Sequence, residues 1–381
     1  MKKYLQALLV ASVLLTLTAC GRLKDSDLSS NSTTSLKKSK TYQTTDTGST
    51  GYNVLLKNGK YVTSDIDGIT ATNKDNSVDE REFQRGLVAI SKNVYPTGTN
   101  VFQEGQYLDS TTVNNWLGRR SKNNPAGLNP AVNGSKAASS RNPIYLEELQ
   151  EQNYLTGSGS SYHLSGLSIG LALNSSDYYQ KTTDGPYFST SISRANQRSY
   201  GERTAETVIA RLRRRKALKN VPITIGLFSK TDQDSLVGGS YFAYGTASAN
   251  SSKITKWKPV SEKWQVLPTV GSAKAYSSSD ESKFTNFKGA IENYFPNVSG
   301  VIGYLRYQDK KLVQENIAIT TQFYGYEQVQ SFTRLVESCA KKYLSNDTAV
   351  EIKIGSVNDV QALVFKESAD SAYQVHIYGG E

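Results

Sequence analysis

The chain has 381 residues, of which 37% are hydrophobic, so it can bury a substantial core and is long enough for more than one domain. Its formal net charge is +10, and it contains only two histidines and two cysteines. The sequence has no zinc-ligand spacing, no GxxxxGK and no GxGxxG that opens a helix, which excludes the standard zinc and nucleotide motifs. We therefore expect neither a metal nor a cofactor.

The first twenty residues have the pattern of a lipoprotein signal. Two lysines precede an apolar run that closes with Leu17, Thr18, Ala19 and Cys20. The run is shorter than the roughly 20 residues that a membrane-spanning helix needs, and small residues at its end are typical of a cleaved secretory signal. Because a cysteine directly behind LTA resembles a bacterial lipobox, we predict cleavage before Cys20 and lipidation of its thiol. An ordinary signal peptide with an incidental cysteine is the alternative.

Lipidation would determine where the mature chain resides. Acyl chains on Cys20 would anchor it to the cell membrane on the extracytoplasmic face, since each buried methylene contributes about 0.8 kcal/mol. The expected partners are the membrane and, during maturation, a signal peptidase and a lipid transferase. Loss of Lys2 and Lys3 with the signal lowers the side-chain charge from +10 to +8. A basic balance outside the cytoplasm favours anionic lipids or wall polymers over nucleic acid, although a merely solubilising surface charge explains it equally well.

Composition divides the rest of the chain into three segments. Residues 20–50 are rich in serine and threonine and almost free of large apolar side chains, which predicts a disordered tether. Residues 51–160 are expected to form an N-terminal α+β region. Residues 161–381 are expected to form a C-terminal α+β region.

The N-terminal region begins with a predicted hairpin over 52–64 that turns at Asn58-Gly59. Ser77 and Glu80 form a capping box ahead of an apolar stripe of helical spacing. The stripe consists of Phe83, Leu87, Ile90 and Val94. A shorter helix is expected to start at Asp109 or Ser110, to bury Val113, Trp116 and Leu117, and to stop at Gly118.

The second half of the sequence repeats itself. LSGLSIGLALN from Leu164 corresponds to VSGVIGYLRYQ from Val298, and each is followed by an extended run, a helix and another strand. The helices are expected at about 202–219 and 327–344. We predict two β-β-α-β units, at about 164–245 and 298–379, within an α+β fold whose helices pack on mainly antiparallel sheets. Two similar patterns arising by chance are the alternative.

One sequence matches a catalytic pattern. Residues 166–170, GLSIG, fit the G-x-S-x-G elbow of α/β hydrolases with Ser168 as nucleophile, and Asp347, Asp359 and His376 follow it in the chain. The elbow requires a helix directly after the serine, whereas LALNSSDYY continues a strand pattern and then becomes polar. We therefore interpret Ser168 as a strand residue between two glycines that permit close packing.

A loop-rich stretch, residues 102–130, contains the candidate ligand-binding residues. It combines aromatic rings and guanidinium groups with glycine and proline, a mixture that suits polar ligands. The candidates are Tyr107, Trp116, Arg119 and Arg120. Use of these aromatics in the core and of these arginines in ion pairs is the alternative, and the more common one.

Two further features are interpreted as structural. The basic run RLRRRK, Arg211–Lys216, lies on a predicted helix and is expected to form its solvated face, with an anion-binding patch as the alternative. Cys339 falls on the apolar stripe of the last predicted helix, which indicates a buried structural thiol.

Several motifs together resemble the CamS-type sex-pheromone lipoproteins of Gram-positive bacteria. They include FQEGQYLD, WLGRRSKNNPAGLNP, LSGLSIGLALN, NVPITIGLFSKT and the terminal HIYG, and the similarity covers about residues 52–378. The resemblance implies an extracytoplasmic lipoprotein whose cleaved signal peptide is trimmed to a short apolar sex pheromone acting in plasmid conjugation. It brings no catalytic residues with it.

Carried over to this chain, the pheromone would be the seven residues before the lipidated cysteine. These are Val13, Leu14, Leu15, Thr16, Leu17, Thr18 and Ala19. The heptapeptide lacks the phenylalanine of the family type, which puts recognition by the same receptor in doubt. The mature domain is then expected to be a non-catalytic binding or scaffolding module, with a peptide, a wall glycan or an anionic wall polymer as its ligand. An envelope hydrolase that uses Ser168 is the alternative.

Overall fold

Two six-stranded sheets organise the part of the chain that the structure, a computed structural model, describes: residues 42–45, 51–72, 77–294, 298–369 and 371–379. The predicted signal, the pheromone residues 13–19 and Cys20 lie outside these residues.

Helices and strands are named in chain order. The helices of the described residues are α1 (Ser77–Lys92), α2 (Ser110–Leu117), α3 (Arg194–Leu212), α4 (Ser278–Tyr294) and α5 (Tyr326–Tyr343). The first ten strands are β1 (Tyr42–Thr44), β2 (Leu55–Lys57), β3 (Val101–Glu104), β4 (Leu146–Ser158), β5 (Ser161–Leu173), β6 (Ser176–Gln180), β7 (Tyr187–Ser191), β8 (Ile223–Ser229), β9 (Ser240–Ala247) and β10 (Trp257–Pro259). The remaining strands are β11 (Glu262–Leu267), β12 (Val298–Gln308), β13 (Lys311–Thr321), β14 (Ala349–Gly355), β15 (Val360–Lys366) and β16 (Gln374–Ile377).

The sheets are mainly antiparallel. The first sheet has the order β3-β4-β5-β8-β9-β10 and the second has the order β11-β12-β13-β14-β15-β16. Each contains one parallel pair, β5 with β8 and β13 with β14, and a helix connects the two strands of each pair. The predicted α+β class, with helices on mainly antiparallel sheets, is confirmed.

The duplication is wider than the sequence indicated. The order β3-α2-β4-β5-α3-β8-β9-β10 matches β11-α4-β12-β13-α5-β14-β15-β16 element for element. The LSGLSIGLALN strand, β5, thus corresponds to β13 rather than to β12, because both precede the crossover helix of their repeat. The first repeat also inserts the hairpin β6-β7 at this point, which the sequence comparison mistook for the second strand of the unit.

The predicted boundary at residues 160 and 161 falls in the turn between β4 and β5. These strands pair along most of their length, from Leu146 with Leu173 to Ser158 with Ser161. Residues on both sides of that boundary therefore belong to the first sheet, and the chain passes from one sheet to the other between Pro259 and Glu262.

The first sheet is covered on both faces. On one face, alternate residues of β5 such as Leu167, Ile169 and Leu171 pack with α2 and α3. On the other face, α1 buries Phe83 and Leu87 against Phe228 and Tyr241 of the sheet. This confirms the apolar stripe predicted for α1, while the side chain of Ser77 in its predicted capping box lies outside the described part.

Small residues let α1 approach the sheet closely. A Cβ atom at Gly170 would lie 2.6 Å from a ring carbon of Phe83, and one at Gly226 would lie 2.6 Å from a ring carbon of Tyr241. The G-x-S-x-G sequence is therefore a stripe of small side chains beneath α1. This confirms the close-packing interpretation of these glycines.

Among the described residues, helices cover the second sheet on one face only. There α4 and α5 bury Phe284, Phe287 and Phe332 against the strands, together with Cys339, which is 8% exposed and free. The opposite face carries Tyr304, Asn316 and Glu351, which are neighbours across three strands. The helix α1 covers the corresponding face of the first sheet only.

Two helix predictions fare differently. Helix α2 begins and ends as expected, because Asp109 accepts a hydrogen bond from the Thr112 amide at 2.8 Å and Gly118 follows the last turn. Helix α3 does not cover 202–219. It starts at Arg194 behind the N-cap Ser193 and ends at Leu212, within the basic run. A short 3₁₀ helix follows at Lys216–Leu218.

Part of the predicted tether also differs from the prediction. Residues Tyr42–Thr44, inside the predicted disordered tether, form β1 and pair with β2. The turn at Asn58-Gly59 is confirmed, since both residues have positive φ (54° and 73°) as a type I′ turn requires. The hairpin itself is short and consists of one bridge between Lys57 and Lys60.

Candidate ligand-binding cleft

Helix α1 joins the two sheets through a partly buried ion-pair network. Arg85 contacts Glu82 at 2.7 Å on its own helix and Glu262 of β11 at 2.5 Å. Glu262 also contacts Arg306 of β12 at 3.3 Å. Burial lowers the pKa of Arg85, but Glu262 and Glu82 more than offset this and raise it overall. The network fixes the position of α1 beside the open face of the second sheet.

A cavity of about 300 Å³ lies between that open face and the first repeat. Its floor is formed by Trp264, Tyr304, Asn316, Ala318, Glu351 and Lys353 of the second sheet, with Ile317 beside them. Its wall comes from Arg81 and Glu82 at the start of α1 and from residues 236–238, which belong to the loop between β8 and β9.

A larger groove of about 820 Å³ adjoins this cavity. It lies where β8 ends, beside the start of α3, and is lined by Arg194, Lys230, Asp232, Asp234 and Lys263, among others. The carboxyl ends of parallel strands are the usual ligand position in α/β sheets. Because Trp264, Val237 and Gly238 line both spaces, we treat them as one site and call it the central cleft.

The loop between β8 and β9 is held in place by a buried carboxylate. Asp79 of α1, which is 1% exposed, accepts hydrogen bonds from the amides of Gly239 (2.5 Å) and Thr231 (3.3 Å). Burial raises the pKa of Asp79, and these hydrogen bonds together with Lys230 oppose that rise. The wall of the central cleft is therefore attached to the same helix as the ion-pair network.

One polar atom in the central cleft lacks a partner. The indole Nε1 of Trp264 is buried and has no hydrogen-bond acceptor among the described residues. A buried N–H without an acceptor costs roughly 1–3 kcal/mol, and such groups are rare in native proteins. Because this atom is inaccessible to solvent, a ligand in the cleft would contact other atoms of the Trp264 side chain.

The charges of the central cleft are balanced. In the smaller cavity Arg81 and Lys353 stand against Glu82 and Glu351. The larger groove has three basic side chains, Arg194, Lys230 and Lys263, and three acidic ones, Asp232, Asp234 and Glu262. Such a lining suits a ligand that carries both charges and polar amides, and it gives no net attraction for a polyanion.

Ser168 is not placed for nucleophilic catalysis. It is fully buried in β5, and its hydroxyl lies 2.7 Å from that of Ser91 on α1. The sequence partner His376 is in β16, the edge strand of the other sheet, and pairs there with Leu363. No sharp turn or helix follows Ser168, since β5 continues to Leu173.

The four predicted binding residues support the fold around them. Trp116 is 7% exposed and packs in the core, and the amide of Tyr107 donates to Glu151 at 3.0 Å. Arg119 donates to the Pro130 carbonyl at 2.9 Å, and the following residue, Arg120, donates to the Gly127 carbonyl at 3.3 Å. The side chains of Arg119 and Arg120 therefore brace the loop over 118–130, those of Trp116 and Tyr107 pack in or against the core, and none of the four lines the central cleft.

Two of the five basic residues in the basic run bind backbone carbonyls of the fold. Arg213 donates to the backbone carbonyls of Leu218, Val221, Ser248 and Ser251, so it ties together the end of α3 and two loops. Arg211 donates to the Ala126 carbonyl at 2.8 Å and stacks over Trp116. The three remaining basic residues, 214–216, are exposed.

Sequence reasoning missed the residues of the central cleft. A usable signal was present in KWKPVSEKW, residues 256–264, where two tryptophans occur within nine residues of otherwise polar sequence. The other residues that line the smaller cavity come from three strands, the start of α1 and a loop, and only the tertiary fold brings them together.

Two kinds of feature are absent from the described residues. Within 42–45, 51–72, 77–294, 298–369 and 371–379, no helix combines the length and apolarity that crossing a membrane would require. The same residues contain no group of three or more histidine, cysteine or acidic side chains arranged to hold a metal ion.

Comparison with known proteins identifies the family. Residues 61–372 match the CamS sex pheromone cAM373 precursor family. A crystal structure of a sex pheromone precursor from Lactobacillus salivarius subsp. salivarius UCC118 superimposes with a TM-score of 0.84 at 38% identity, covering 89% of this chain and 100% of that one.

A structure of the C-terminal domain of the sex pheromone staph-cAM373 precursor from Staphylococcus aureus also matches, with a TM-score of 0.68 at 29% identity. It covers 80% of this chain and 98% of the other. No curated protein sequence matches the chain. With a family match over most of its length, the chain belongs to the CamS sex pheromone cAM373 precursor family.

Proposed function

We propose that the chain is the precursor of two products. One is a lipoprotein anchored through Cys20 to the extracytoplasmic face of the cell membrane. The other is the apolar heptapeptide Val13–Ala19, released from the cleaved signal and acting as a pheromone in plasmid conjugation. The observation that carries the proposal is the position of LTAC directly behind an apolar run, in a member of a sex pheromone precursor family.

The mature body is a binding module in this proposal, and the central cleft is its ligand site. The balanced charges of the central cleft favour a peptide over an anionic wall polymer. The engagement of Arg211 and Arg213 with backbone carbonyls supports the same preference, because it leaves a smaller basic surface for a polyanion.

Metabolic labelling with an alkyne fatty acid tests the anchor. The wild-type chain is expected to carry the label, and Cys20→Ala is expected to lose it. The matched control is Cys339→Ala, which replaces the other cysteine, a residue buried in the second repeat, and should keep the label. Equal labelling of the wild type and Cys20→Ala would refute the anchor.

Calorimetric titration tests the ligand class of the cleft. A pool of synthetic tetrapeptides to heptapeptides and a purified lipoteichoic acid are titrated separately into the unit Thr41–Glu381. We expect heat from the peptides, lost in Trp264→Ala and kept in Trp257→Ala. Binding of the lipoteichoic acid with no response to the peptides would overturn the peptide assignment.

A further inference from the structure

A second cavity occupies the position in the second repeat that the larger groove of the central cleft has in the first. Its volume is about 570 Å³, within the range of about 300–1,000 Å³ that is typical of small-molecule sites. It lies beyond the carboxyl ends of β13 and β14, next to the start of α5. It is lined by Tyr324, Tyr326, Val329, Asp359, Val360, Gln361, Ile377, Tyr378 and Gly379, and we call it the tyrosine pocket.

Its three tyrosines are unusually exposed. Tyr324, Tyr326 and Tyr378 are 68%, 47% and 50% exposed, although large aromatic side chains are normally mostly buried. They come from the β13–α5 connection and from the end of β16, so the fold gathers them at one edge of the second sheet. Exposed aromatic groups gathered in one depression mark interaction sites more often than scattered ones do.

The polar groups of the tyrosine pocket limit the choice of ligand. The amide of Gln361 is occupied, since it donates to the Phe323 carbonyl at 2.7 Å and accepts from Thr321 at 2.9 Å. Among the described residues that line the pocket, Asp359 is the charged one, and none is a lysine or an arginine. An anionic ligand would therefore meet a carboxylate and no counter-charge.

The two repeats differ in the residues that line this equivalent position. The equivalent groove of the first repeat is lined by six charged side chains and one tyrosine, whereas the second repeat places three tyrosines there. The same position in the duplicated fold thus offers two different chemistries. The apolar faces and hydroxyl groups of the second suit a ligand that has apolar ring faces and neutral hydroxyls.

We propose that the tyrosine pocket binds a neutral saccharide, with tyrosine rings packed on the C–H faces of the sugar and Asp359 accepting hydrogen bonds from its hydroxyls. This deepens the proposed function and rests on it, because a saccharide ligand presumes a binding module exposed at the cell wall. An organic cation is the competing chemistry, since tyrosine faces and a carboxylate also attract ammonium groups.

The test is calorimetric titration of the unit Thr41–Glu381 with maltotetraose, chitotetraose and tetramethylammonium chloride. We expect a saccharide to bind and Tyr324→Ala and Tyr378→Ala each to weaken it about fivefold or more, as loss of an aromatic contact implies. The control Tyr294→Ala removes an equally exposed tyrosine, 61%, from α4 and should bind like the wild type.

Three results would overturn the inference: no response to either saccharide, equal affinity in the wild type and the pocket variants, or binding of tetramethylammonium alone. None of these outcomes would affect lipid labelling at Cys20, so failure of the saccharide site can be told apart from failure of the proposed function.

Discussion

The guanidinium group of Arg85 and the carboxylate of Glu262 lie 2.5 Å apart, and this ion pair joins α1, which packs on the first sheet, to β11, the first strand of the second repeat. The Glu262 side chain is 9% exposed and the Arg85 side chain 33%, so the pair is shielded from solvent on one side. Glu262 also lines the larger groove of the central cleft, so the pair fixes the position of one of the cleft's lining residues.

Replacing Arg85 should destabilise the junction. Arg85→Ala leaves Glu82 and Glu262 short of a partner, and we expect a loss of about 2 kcal/mol in the free energy of unfolding, below the range for fully buried pairs. Urea denaturation measures it. Arg81→Ala is the control, because the Arg81 side chain is 76% exposed and should cost less than about 0.5 kcal/mol. Equal losses in the two variants would contradict a structural role for the pair.

Alanine substitutions at Gly170, beneath α1, and at Gly289, inside α4, should change stability in opposite directions. Gly170→Ala places a methyl group 2.6 Å from Phe83, and we expect a loss of about 1–3 kcal/mol from overpacking. Gly289→Ala, inside α4 with no atom within 4 Å, should instead gain about 0.5–1 kcal/mol from helix propensity. Thermal unfolding of both variants distinguishes the sites, and a stable Gly170→Ala would disprove close packing of α1 there.

A buried carboxyl group should make stability depend on pH. Burial raises the pKa of Glu315 to about 7, and Asp280 raises it further, while a hydrogen bond from the Ser345 amide and the lysines at 283 and 366 oppose the shift. The folded chain therefore binds a proton that the unfolded chain releases. Its contribution to stability is full below the ordinary pKa near 4.5 and is lost as the pH rises through about 7.

Glu315→Gln removes this titration. Between pH 5 and pH 8 the wild type should lose on the order of 2 kcal/mol relative to the variant, with the difference appearing at the higher pH. Urea denaturation at both values measures it, and Glu327→Gln, at an exposed position of α5, is the control. A wild-type advantage at pH 8 would show that the carboxylate is stabilised by its neighbours and that the predicted sign is wrong.

Ser168 should not react as a nucleophile. Its hydroxyl is buried against Ser91, which also donates to the Leu87 carbonyl at 2.7 Å, so Ser168→Ala leaves no buried donor without an acceptor. We expect less than about 1 kcal/mol of destabilisation. A fluorophosphonate should also fail to label Ser168 in the folded wild type, so the wild type and Ser168→Ala should give the same labelling. Labelling at this serine would support the alternative that the chain is an envelope hydrolase.

The elements that the sequence predicted well carry local signals. Helix α2 is marked by the Asp109 cap, by Gly118 after its last turn and by an apolar stripe, and these act within a dozen residues. The stripe of α1 and the burial of Cys339 follow from the same periodicity. Local patterns were enough to predict these features because neighbouring residues determine them.

The features that sequence reasoning missed depend on distant contacts. The true alignment of the repeats is visible only when β5 and β13 are seen to pair in parallel with the strands that follow their helices. Helix α3 was displaced because Ser193 caps it inside a polar stretch with no apolar pattern. The central cleft combines Trp264, Tyr304 and Glu351 from three strands with the start of α1. No local sequence pattern indicates that these residues lie close together.

The most direct test of the precursor proposal is targeted mass spectrometry of culture filtrate for VLLTLTA, the sequence of Val13–Ala19. The peptide is expected in the filtrate of the wild-type strain and absent from that of a Cys20→Ala strain, in which lipobox processing fails. A Cys339→Ala strain is the control and should release it normally. Absence of the peptide from the wild type, or equal release by the Cys20→Ala strain, would contradict the proposal that this chain is a pheromone precursor.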